Sequence, residues 1–158
     1  MNSLEQKLKT MGFTLPPAPA PAGSYVPSTR SGNLIFVSGQ LPLKDGKLLF
    51  EGKVGGGVSV EQAKECARIC AINALAVLSV SDGLEAVERI VKVTGYVASV
   101  DGFTGQADVV NGASDFFSEV FGRKGGHSRS AVGVSELPLG APVEIEVIAE
   151  TSAPASSE

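Results

Sequence analysis

The stretch Ser59–Val80, SVEQAKECARICAINALAVLSV, constrains the fold more than any other part of the chain. Ser59 and Gln62 stand three apart, the spacing of a capping box, and Ser81-Asp82-Gly83 closes the run. Between them Ala63, Cys66, Ala67, Cys70, Ala74, Val77 and Leu78 recur at helical spacing, which predicts one long helix with a broad apolar face. Such a face must be covered, and the flanking sequence supplies strands. NLIFVSGQLP (Asn33–Pro42) precedes the helix, with a hairpin turn at Lys44-Asp45-Gly46-Lys47, and the β-branched run RIVKVTGYVASV (Arg89–Val100) follows it. A second helix is predicted over Gln106–Phe121, with Val110, Ala113, Phe117 and Phe121 on one side. The order β-β-(β)-α-β-α-β-β suits an α/β (α+β) domain, a single mixed sheet with both helices on one face.

Three segments are expected: 1–23 as a short helix from Ser3 to Met11 plus a proline-rich arm, 24–151 as the domain, and 152–158 as a tail. The net charge of −4 gives no general field for a polyanion, so a nucleic-acid partner would rest on the weak basic spot of Arg123, Lys124 and Arg129. No apolar run reaches the roughly 20 residues of a membrane helix, and MNSLEQKLKT lacks the layout of a secretory signal. A cytoplasmic protein is expected. Cys66 and Cys70 share a helix face, and His127 is the one histidine, so buried free thiols are expected rather than a disulfide or a metal site. Gly55-Gly56-Gly57 lacks the Lys-Ser/Thr of a phosphate-binding loop and reads as a plain loop. His127, set among glycines and serines, reads as an exposed loop residue with no orienting partner for catalysis.

The segment HSRSAVGVSELPLGAPVEIEVIAE (His127–Glu150) holds two alternating runs around Leu137-Pro138-Leu139-Gly140. Read as a hairpin, it pairs Val132 with Val147 and Val134 with Ile145 on a face expected to meet the helices. The other face then pairs Arg129 with Glu150, Ala131 with Ile148, Gly133 with Glu146 and Ser135 with Glu144. Arg129 has two readings there: a solvated ion pair with Glu150, worth under about 1 kcal/mol, or an anion anchor among residues small enough to admit a ligand or second subunit.

GSYVPSTRSGNLIFVSGQLP, VVNGASDFF and RSAVGVSELPLGAPVEIEVIA occur in an order that resembles the RidA/YjgF family of enamine/imine deaminases, also known as L-PSP endoribonucleases. The resemblance implies a chorismate-mutase-like fold, a homotrimer with ligand clefts between subunits, and cofactor-independent hydrolysis of imino acids to 2-oxo acids and ammonia. It puts the carboxylate-binding arginine at Arg129 and the water-positioning glutamate at Glu144. It puts substrate-binding positions at Tyr25, Ser38, Gly39 and Asn111, and at Ala131 where the family often has cysteine. In the hairpin register Glu144 lies about 20 Å from Arg129 within one chain. Each site is therefore expected to take Arg129 from one subunit and Glu144 from its neighbour. Two alternatives stay open: a non-catalytic trimer that binds 2-oxo acids, and RNA cleavage, which the acidic chain disfavours.

Overall fold

The structure, a computed structural model, describes residues 3–152. The predicted tail beyond residue 152 lies outside the described residues.

Helix α1 (Ser3–Thr10) is tied down where Glu85 accepts from Ser3 Oγ at 2.9 Å and from the Leu4 N–H at 2.8 Å. Strands β1 (Ser28–Ser31) and β2 (Leu34–Gln40) form a hairpin. The short strands β3 (Leu43–Lys44) and β4 (Lys47–Leu48) turn through Asp45 (φ 54°) and Gly46 (φ 78°). Both centres are left-handed, as a two-residue hairpin turn requires. Helix α2 (Val60–Ser81) opens on the predicted capping box: Gln62 N–H donates to Ser59 Oγ, and Ser59 N–H donates to Gln62 Oε1. Strand β5 (Val87–Ala98), helix α3 (Gln106–Phe121), strand β6 (Ser128–Val134) and strand β7 (Val143–Thr151) complete the chain.

Five strands form the main sheet in the order β1-β2-β7-β5-β6, with α2 and α3 packed on it. Only β5 and β6 run parallel, joined through α3 as a strand–helix–strand crossover. This overturns the hairpin reading. Strands β6 and β7 do not pair, because β5 lies between them. Val147 and Ile145 do face the helices, but Val132 lies on the open face with 42% of its surface exposed. The face of Arg129, Ala131 and Gly133 is instead the helix side, since Arg129 pairs with the buried Val93 and Ala131 with the buried Gly95. The start of α3 lies close on this side: a Cβ at Gly133 would stand 2.9 Å from Gln106 Nε2.

Ala71 to Leu78 of α2 are all buried, so this helix is covered on every side over that stretch. The α2–α3 crossing depends on Gly112, where any Cβ would run into the Lys64 carbonyl oxygen. Gly112→Ala should lower stability by about 1–3 kcal/mol, seen as a lower urea midpoint at constant slope. Both cysteines are buried free thiols. Burial pushes the Cys66 thiol up to about 11 and raises Cys70 as well, and the Cys70 thiol points at the Val143 carbonyl. Neither should react with a disulfide reagent at pH 8 until denaturant is added.

Candidate functional site

Arg129 sits on β6, the sheet edge, and reaches along α3. Ala107, Asn111 and Ser114 recur at i, i+4 and i+7 and present one polar stripe to it. Arg129 Nη1 donates to Asn111 Oδ1 at 2.7 Å and to Ser114 Oγ at 3.2 Å, and Nη2 donates to the Ala107 carbonyl at 3.3 Å. A guanidinium has five N–H donors. These contacts use three, leaving Nε–H and one Nη2–H. Among the described residues no Asp or Glu pairs with it. The expected partner Glu150 instead meets Arg89, with Nε to Oε2 at 3.4 Å.

His127 is half-buried rather than an exposed loop residue, and it has the orienting partner that the sequence did not disclose. Its Nδ1 lies 2.6 Å from the Gly125 carbonyl and its Nε2 lies 2.8 Å from Ser114 Oγ. Its ring meets Phe117 edge-on, at 6.2 Å between centroids.

A second cluster forms on the open face. Glu144 and Glu146 alternate with the buried Val143, Ile145 and Val147 along β7. The β2–β7 register shifts between Val37 and Gln40, which makes a bulge at Ser38-Gly39 beside Glu144. A Cβ at Gly39 would come within 2.9 Å of the Glu144 carboxyl, so any larger residue there would push that side chain out of its present place. Ser38 Oγ donates to the Val26 carbonyl at 2.7 Å. Tyr25 Oη accepts from the Ala22 N–H at 3.0 Å. Tyr25, Ser38 and Gly39 line one small recess of about 40 Å³, together with Pro19–Ala22 of the proline arm. Tyr96 donates to Glu146 Oε1 at 3.0 Å. Burial, and then the charge of Glu146, raise the Glu144 carboxyl above its ordinary value. Burial, the hydrogen bond to Glu146 and the two carboxylate charges raise Tyr96.

The predicted residues thus fall into two groups. Arg129, Asn111 and Ala131 lie on the helix side of the edge, while Tyr25, Ser38, Gly39 and Glu144 gather at the bulge. Val93 pairs with Arg129 and Tyr96 pairs with Glu144, and the three-residue step along β5 puts the two pairs on opposite faces of the sheet. The 20 Å distance reckoned along a hairpin has no basis, because that hairpin does not exist. What separates the two groups within one chain is the sheet itself. The sequence reading missed Ser114, His127, Tyr96 and Glu146. For Ser114 there was a signal, the helical spacing from Asn111.

Residues 16–151 match the family described as Endoribonuclease L-PSP. The chain belongs to that family. Within it, protein TCP17 of Trypanosoma cruzi is 41% identical over 145 residues, covering 90% of this chain and 91% of that protein. A 2-iminobutanoate/2-iminopropanoate deaminase of Dermatophagoides farinae is 30% identical over 136 residues, covering 86% and 92%. The L-PSP fold is equally plain in solved structures. A protein of unknown function from Agrobacterium tumefaciens aligns with a TM-score of 0.87 at 44% identity, over 95% of this chain and 92% of that one. E. coli TdcF with bound serine aligns at 0.63 and 26% identity, over 85% and 94%.

Proposed function

We propose that this L-PSP protein hydrolyses small imino acids to 2-oxo acids and ammonia, without a cofactor, in clefts between the subunits of a cytoplasmic homotrimer. In each cleft Arg129 of one subunit holds the substrate carboxylate, and Glu144 of the next directs the water. The observation that carries this reading is the state of Arg129, fixed in direction by three neutral acceptors with its charge unmatched. The pair Nε–H and Nη2–H suits the two oxygens of a carboxylate. The deaminase named among the relatives and the serine held by TdcF support a small ligand with a carboxylate. An exposed edge strand and an open sheet face bearing Phe36 and Val132 support association with further copies.

The chemistry asks little of the protein. As a water oxygen bonds to the electrophilic imine carbon, the Glu144 carboxylate takes the water proton. With the C=N electron pair of the protonated imine now on nitrogen, Glu144 returns that proton to the carbinolamine nitrogen. The hydroxyl proton then passes to the freed carboxylate as the C=O bond forms and the C–N bond breaks. The departing ammonia takes it up, leaving ammonium and the 2-oxo acid. Tyr25, Ser38 and Gly39 shape the wall beside Glu144, and Asn111 orients Arg129. Ala131 leaves the arginine side roomier than cysteine would, which favours binding without turnover as the second reading. Ammonia release decides between them. Imines generated in place by an amino-acid oxidase should lose ammonia faster than they do in water. Saturable 2-oxo acid binding with no acceleration would support the second reading instead.

Glu144 acts in its ionised form, so kcat/KM should fall as pH drops through its raised pKa. Glu146→Gln removes the neighbouring charge that helps to raise it, and the acid limb of the profile should move to lower pH. A limb that stays in place would remove Glu144 from the base role.

A further inference from the structure

The way Arg129 is held assigns a role to a residue outside the predicted site. Gly125 offers His127 only a carbonyl oxygen, which accepts, so the 2.6 Å contact fixes the proton on Nδ1. In the neutral ring Nε2 is then a bare acceptor, and at 2.8 Å it takes the Ser114 hydroxyl proton. With that proton committed, Ser114 Oγ turns a lone pair to Arg129 Nη1 at 3.2 Å. The bonds run in one direction, from the arginine through the serine and histidine to the backbone, and each polarises the next.

We propose that His127 is a positioning residue: through Ser114 it sets the orientation of Arg129 without neutralising it, and so makes the site selective for ligands bearing a carboxylate. An Asp or Glu in the place of Ser114 could hold the guanidinium as firmly, but it would cancel the charge that the ligand needs. Three neutral acceptors give direction and leave the charge free. The Phe117 ring stands nearly perpendicular to the imidazole, 6.2 Å away between centroids. This inference rests on the reading of Arg129 as the carboxylate anchor.

Calorimetry on the full chain with 2-oxobutanoate and with its amide tests it, alongside steady-state deamination. The variants are His127→Leu, Ser114→Ala, His127→Gln and Arg129→Ala. His127→Leu and Ser114→Ala should weaken 2-oxobutanoate binding about tenfold or more, leave the amide unaffected, and raise KM more than they lower kcat. His127→Gln keeps an acceptor within reach of Ser114 and should recover most of the affinity. Circular dichroism and melting of each variant identify any that misfold, and the glutamine variant then carries the comparison. Unchanged 2-oxobutanoate binding in folded His127→Leu overturns the proposal, as does an equal loss for acid and amide, which marks a merely structural role. If Arg129→Ala loses carboxylate binding while the histidine variants keep it, only this inference falls. If the wild type binds no 2-oxobutanoate, or Arg129→Ala binds it normally, the anchor reading falls with it.

Discussion

Replacing Arg129 with alanine should lower kcat/KM for imino-acid hydrolysis by roughly 10²–10⁴-fold, the loss of two charge-assisted hydrogen bonds to a carboxylate. Little of this should come from misfolding. The side chain is half-buried on an edge strand and makes no ion pair among the described residues, so the melting temperature should fall by only a few degrees. Arg129→Lys keeps the charge but not the planar fork, and it cannot bond Asn111, Ser114, Ala107 and a ligand together. It should restore under a tenth of the lost activity. Near-wild-type rates in the alanine variant would move the carboxylate site elsewhere.

The second large effect is expected on the open sheet face. Val132→Asp should convert the proposed trimer to monomers at micromolar concentration by light scattering, and abolish ammonia release, while far-ultraviolet circular dichroism stays native. Val132 is 42% exposed in the single chain and stands on edge strand β6, so a carboxylate there costs the isolated subunit little. It would, however, face desolvation in an interface. Val80→Asp is the control. Val80 is 70% exposed near the end of α2, and its variant should stay assembled and active. A monomeric Val132→Asp protein with full activity would show that one chain holds a complete site, against the face-to-face separation of Arg129 and Glu144.

Much of the fold was legible locally. The capping box at Ser59 and Gln62, the Asp45-Gly46 turn and the span of α3 all follow from residues within a few positions of one another. The order of strands was not legible. Strands β6 and β7 both alternate, and Leu137-Pro138-Leu139-Gly140 looks like a hairpin turn. Alternation says which residues share a face of one strand, yet it is silent on whether another strand lies between two neighbours in sequence. The internal agreement of the supposed hairpin was therefore no test of it. The same gap hid the site. The arginine was visible, but its partners on α3 come from packing across a crossover. His127 gave no local sign of use because its orienting group is a backbone carbonyl.

The strand order also bears on when the protein can fold. Strand β7 is the last strand of the described chain, yet it stands in the middle of the sheet, bonded to β2 on one side and β5 on the other. During synthesis the β1–β2 hairpin and the β5-α3-β6 unit can each form early, but until β7 is present no strand pairing joins them. The sheet closes only when Val143–Thr151 leaves the ribosome. Until then two half-sheets expose unpaired edges to the cell, and chaperones that shield such edges have their longest opportunity to act.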